Sequence, residues 1–88
     1  MKDFLKRIGI TANGYTLENG TYVIEIPDSA TYSKIYSLLE KTEIVEEDES
    51  SSQLTANASS IQYNNDLYII TLMSDLEGDI YRLTVKEI

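Results

Sequence analysis

Asp66-Leu67-Tyr68-Ile69-Ile70-Thr71-Leu72-Met73 is followed by Ser74-Asp75-Leu76-Glu77-Gly78-Asp79 and then by Ile80-Tyr81-Arg82-Leu83-Thr84-Val85-Lys86-Glu87-Ile88. The first run is apolar on both faces, the pattern of a strand inside a sheet. The last run alternates, with Tyr81, Leu83 and Val85 on one side and Arg82, Thr84 and Lys86 on the other, as in a strand covered on one face. Gly78 offers the positive φ that a short connecting loop needs. Such a hairpin requires a layer across its apolar side, and the preceding residues must supply it.

Eighty-eight residues suit one domain, 1–88, with one modest core. The chain has no Cys and no His. It therefore lacks a disulfide framework, a thiolate site, the commonest metal ligand and the usual general base at neutral pH. No apolar run approaches the ~20 residues that span a bilayer. Near the start, Lys2 and Lys6-Arg7 flank only Phe4, Leu5 and Ile8, too little for a signal-peptide core. A soluble, cytoplasmic protein working without metal or cofactor is the expectation.

The net charge is −8, from 15 acids and 7 bases. From Thr42 to Tyr81 there is no Lys or Arg, while Glu43, Glu46, Glu47, Asp48, Glu49, Asp66, Asp75, Glu77 and Asp79 fall in that span. Such a field repels nucleic acid and membrane surfaces and attracts basic protein clefts. The plainer reading is that the acid keeps a small domain soluble.

Taken in order, residues 2–8 can form a helix with Phe4, Leu5 and Ile8 on one face and Gly9 just past its end. Asn13-Gly14 predicts a turn. Asn19-Gly20 is the preferred pair for a type I′ hairpin. Pairing outward from it sets Leu17 against Tyr22 and Tyr15 against Ile24, with Ile26 on the same face and Thr16, Glu18, Thr21, Val23 and Glu25 on the other. Pro27 ends this strand, and Asp28 or Ser29 can cap a helix. Tyr32, Ile35, Tyr36 and Leu39 then recur at i, i+3, i+4 and i+7, an amphipathic stripe. Ser33, Lys34, Ser37 and Lys41 lie off that stripe.

Residues 42–47 can form a strand with Ile44 or Val45 inward. Glu46-Glu47-Asp48-Glu49 and Ser50-Ser51-Ser52 predict a mobile acidic loop. A strand resumes over 60–63, and Asn64-Asn65-Asp66 turns the chain into the final hairpin. The sum is helix, strand, strand, helix and four strands: an α+β domain. Its expected form is a mostly antiparallel sheet of about five strands, one main helix packed on it, and a short N-terminal helix. Tyr15, Tyr22, Tyr32, Tyr36, Tyr68 and Tyr81 are expected to point inward, where packing explains them, although Tyr also favours interfaces.

Catalysis is not indicated, since the acids cluster in loops without the apolar setting that separates carboxylate pKa values. Residues 75–79 begin like a calcium loop, but Lys86 stands where the closing Glu belongs. A phosphate-cradling Gly-rich loop is also missing.

Val23-Ile24-Glu25-Ile26-Pro27-Asp28, the acidic segment over 43–49 and the final hairpin with its Ser74-Asp75 to Gly78-Asp79 turn resemble, in order and charge, the phage uracil-DNA glycosylase inhibitors. The likeness covers about residues 20–88 in architecture and rests on no long identical run. It implies a DNA mimic that occupies the enzyme's DNA cleft. The edge strand would be 20–26, with Glu25, Asp28 and Glu18 near phosphate positions and further acid at Glu43, Glu46, Glu47, Asp48 and Glu49. Val23, Tyr32, Ile35, Tyr36 and Leu39 would wall a pocket for an apolar side chain of the enzyme. The chain departs from that family in having Thr21-Tyr22-Val23 at the start of the strand and its acid in 43–49 rather than in the helix. Two other classes fit the charge: an anti-CRISPR-type inhibitor of a nuclease, and a structural or adaptor domain with a solubilising surface.

Overall fold

A computed structural model describes residues 2–10, 15–55, 57–75, 77 and 80–88. The expected Asn13-Gly14 turn and the Gly78 loop position lie outside the described residues. The elements are α1 (Lys2–Ile8), β1 (Thr16–Glu18), β2 (Thr21–Ile26), α2 (Ser29–Lys41), β3 (Glu46–Leu54), β4 (Ala58–Asn64), β5 (Tyr68–Asp75) and β6 (Ile80–Glu87). The domain is α+β, as the order of patterns implies. Its sheet is antiparallel and holds six strands rather than about five, in the order β1-β2-β6-β5-β4-β3.

The final hairpin sits inside this sheet: β5 and β6 pair with each other, and each has a further strand on its outer side. Leu83 faces Leu72 on one side and Ile24 on the other; Val85 likewise lies between Ile70 and Tyr22. Leu72, Leu83, Ile70 and Val85 are wholly buried. Between β2 and β3 the chain must pass from one half of the sheet to its far edge, and α2 makes that crossing. Pro27 cannot donate to a ladder, and Asp28 then caps α2 by accepting from the Thr31 amide at 2.7 Å. Ile35 and Leu39 of the α2 stripe are buried, and Tyr32 tilts against Tyr81 with ring centroids 5.3 Å apart.

The shorter helix α1 adds Phe4, Leu5 and Ile8 to the same core, and Phe4 stacks on Tyr68 at 4.2 Å. Gly9 ends it with φ 102°, its amide donating to the Leu5 and Lys6 carbonyls. A Cβ here would meet Leu38 of α2 at 3.3 Å, so glycine serves both the cap and the close passage of the helices.

The first hairpin has the expected turn and register. Asn19 and Gly20 have φ 51° and 79°, and Leu17 pairs with Tyr22. The expected pairing of Tyr15 with Ile24 is not in the ladder, which begins at Thr16. Tyr15 and Leu17 lie at the outer margin and are exposed, because an edge strand has no neighbour to complete their cover. Tyr36 is also exposed, at 38%, whereas Tyr63, absent from the tyrosines expected to be inward, is buried to 1%.

The largest correction concerns residues 42–54. The expected strand over 42–47 is mostly a bend, and the expected acidic loop is the nine-residue edge strand β3. Its ladder with β4 breaks after Asp48–Gln62 and resumes at Gln53–Ser60, so that residues 49–52 face Ile61 alone. This bulge is held by hydroxyls: Ser50 and Ser51 donate to the Asp48 carboxylate at 2.7 and 3.0 Å, and Ser52 donates to the Asp48 carbonyl at 2.9 Å. Ser52 Oγ also accepts from the Gln62 amide at 3.1 Å. An edge strand needs a backbone partner on one side only, so charge and serine are compatible with it.

Candidate functional site

The bases and the acidic span fall on different elements. All seven bases lie on α1, α2 and β6. Of the acidic span, Glu43, Glu46, Glu47, Asp48 and Glu49 gather at the β3 side of the sheet with Asp66 nearby, while Asp75 ends β5 and Glu77 follows it. Glu46 and Asp48 pair with Asn64 and Gln62 on the sheet face away from the helices; Glu47 pairs with Tyr63 and so lies on the helix-covered side; Glu49 sits in the bulge. Glu43 and Glu46 approach Asp66 around a shallow depression also lined by Ile44, Asn64 and Asn65. Asn65 builds this corner. Its Oδ1 accepts from the Leu67 and Tyr68 amides, both at 2.8 Å, and its Nδ2 donates to the Ile44 carbonyl at 3.2 Å.

Where β3 meets α2, the carboxylates crowd. Tyr63 donates to Glu40 Oε2 at 2.8 Å, and Tyr36 to Glu40 Oε1 at 3.4 Å. Desolvation, then the charges of Glu40 and Glu49, raise the Glu47 pKa above its ordinary value. Burial and the hydrogen bond to Glu40 push the Tyr63 phenol far up, and the Glu40 charge raises Tyr36. Glu40 and Tyr63 were not among the sequence-based site residues. Their separation of 23 residues hides the pairing; the only hint was an acid beside the apolar stripe at the end of α2.

The other expected phosphate-like acids stand elsewhere. Glu18 is on β1 and Glu25 on β2, at the sheet edge opposite β3. Arg82 holds Glu25 Oε1 through Nε and Nη2, each at 2.9 Å. Asp28 is committed to the α2 cap, and the side-chain hydrogen bond from Thr31 lowers its pKa. The hydroxyls of Ser50 and Ser51 lower that of Asp48. Five strand spacings of about 4.8 Å put the two edges about 24 Å apart. The acids expected to stand in for phosphates are therefore divided, with Glu43, Glu46, Glu47, Asp48 and Glu49 on or beside β3 and Glu18 and Glu25 towards the opposite edge.

Two features implied by the resemblance are corrected. Strand 20–26 is not a free edge along its length, because the Asn19-Gly20 turn folds β1 onto Thr21, Tyr22 and Val23. Nor do Val23, Tyr32, Ile35, Tyr36 and Leu39 line one pocket. Val23 pairs with Thr84 on the face away from α2, while Ile35 and Leu39 fill the core. A groove of about 360 Å³ lies instead on the sheet's uncovered side, with Gln53, Ser60, Met73, Ile80 and Arg82 among its lining.

Among the described residues no group of three or more carboxylates is placed to hold a metal ion, and no helix is long and apolar enough to cross a membrane. Compared with protein-family models, curated proteins and solved structures, the chain matches none.

Proposed function

We propose that this chain is a DNA mimic: a binding protein, not an enzyme, whose β3 side occupies the basic DNA cleft of a DNA-processing enzyme. The observation that carries the reading is the run of acid at one edge, with Glu43, Glu46, Glu47, Asp48 and Glu49 on or beside β3 and no Lys or Arg on that strand. Carboxylates held on a strand keep a spacing that a flexible acidic tail does not. They would meet lysines and arginines that otherwise take phosphates, and steer the encounter from a distance.

Uracil-DNA glycosylase is the first target, on the strength of the resemblance. The docking edge is then β3, since β2 is paired on both sides over Thr21, Tyr22 and Val23. That departure favours a second reading, in which the cleft belongs to a nuclease as for an anti-CRISPR-type inhibitor. Both place the protein beside its target in a bacterial cytoplasm. Uracil excision with a molar equivalent of this protein is the test: inhibition relieved by excess DNA supports the first reading. Full excision, together with inhibition of a nuclease, supports the second. If no DNA-dependent enzyme is bound or competed from DNA, the acid is solubilising and the domain structural.

A further inference from the structure

We propose that two copies of this chain associate through the uncovered sheet face, about a two-fold axis parallel to the strands and running between β4 and β5. Both helices pack on the other side of the sheet, so the face carrying Thr84, Thr71, Gln62 and their neighbours has no helix across it among the described residues. Its charges have an order. Along one row the ladder sets Lys86 of β6, Ile69 of β5, Asn64 of β4 and Glu46 of β3 side by side. A base thus stands at one end of the row and an acid at the other, with two uncharged residues between. Lys86 and Glu46 are both exposed, and neither has an ion-pair partner among the described residues.

An acidic or a basic partner would satisfy one end of that row and oppose the other. A second copy turned about the proposed axis satisfies both: β6 of one molecule lies over β3 of the other, and Lys86 meets Glu46 twice. The next rows agree. Arg82 comes over Gln53, and Met73 over Ser60, a long side chain against a short one within the groove. Asp48 on this face already accepts two serine hydroxyls, and Glu25 already pairs with Arg82. Four strands overlap, a width of about 19 Å, which belongs to the class of small, reversible interfaces. Mutual repulsion of the two negative molecules is screened beyond about 8 Å at physiological ionic strength.

The test is sedimentation equilibrium of the intact chain across a concentration series reaching the millimolar range. The expected result is a mass that rises from 10.0 kDa towards twice that value. Lys86→Glu alone and Glu46→Lys alone should each weaken dimerisation about tenfold. Mixing those two variants should restore it, because the unlike pair regains both contacts. Thr71→Arg, at the middle of the face, should abolish it. Circular dichroism confirms that each variant is folded. A constant monomer mass overturns the proposal, and so does a dimer that ignores the charge reversals or that the mixture fails to restore.

Discussion

The Tyr63 hydroxyl donates to Glu40 Oε2 at 2.8 Å, which fastens β4 to the last turn of α2. Tyr63 is buried to 1%, so its ring fills the core while its oxygen reaches a carboxylate at the margin. One side chain thereby joins the packing of the sheet to the acidic corner where β3 begins.

Removing that oxygen in Tyr63→Phe should cost about 1–2 kcal/mol, the worth of a hydrogen bond to a charged group whose partner can return to water. Thermal unfolding should show it as a lower Tm. Folding raises the phenol's pKa, so above the ordinary tyrosine range the unfolded chain releases its proton first. Stability then falls as pH rises past about 10. The Phe variant should lose less over that alkaline range; an identical loss would contradict the assignment.

Glu47 leads to the opposite sign. Its folded pKa is raised by desolvation and by Glu40 and Glu49, so the charged form is disfavoured in the native state. Its contribution to stability improves as pH falls through the raised value. Glu47→Gln should therefore raise Tm at neutral pH, with the advantage fading in acid. If the same variant binds its target more weakly, the carboxylate is held against stability for recognition.

Gly20 adopts φ 79° at the first hairpin turn. Gly20→Val puts a β-branched side chain in that left-handed region, at a cost of about 1–3 kcal/mol. Space is not the obstacle, since nothing lies within 4 Å of a Cβ built there. Denaturant unfolding of the two proteins measures the difference, and equal midpoints would refute the strain.

In the β3 bulge, Ser52 Oγ accepts from the Gln62 amide and donates to the Asp48 carbonyl. Ser52→Ala should destabilise by about 1 kcal/mol and quicken hydrogen exchange at Gln62. Unchanged exchange there would mean that the amide is protected by another group.

Replacing Glu43, Glu46, Glu47 and Glu49 with Gln should slow association with the target enzyme and flatten its salt dependence, with a smaller effect on dissociation. Asp48 is left in place because it organises the bulge. Stopped-flow measurements at two ionic strengths give both rates. An association rate that the four changes leave untouched would remove these acids from the encounter.

Local chemistry decided much of this molecule before any tertiary contact. Asn19-Gly20 set a turn and, through it, a register; Pro27 and Asp28 stopped a strand and started a helix; alternation in β6 named its buried side. Each depends on residues within a few positions of one another, so the sequence carries it openly. The place of β5 inside the sheet was legible too, because the run from Leu67 to Met73 is apolar on both faces, as a strand with neighbours on both sides is.

Only the tertiary structure decided the role of the acids. Glu46, Glu47, Asp48 and Glu49 have no apolar alternation, so nothing local marks them as a strand; the free ladder of β4 does, by offering backbone partners that side-chain patterning does not record. The union of Glu40 with Tyr63 likewise waits for α2 to cross the sheet. Charge sign and count belong to the composition. Which acids cap a helix, which pair with Arg82 and which remain exposed to a partner depends on distances between segments far apart in the chain.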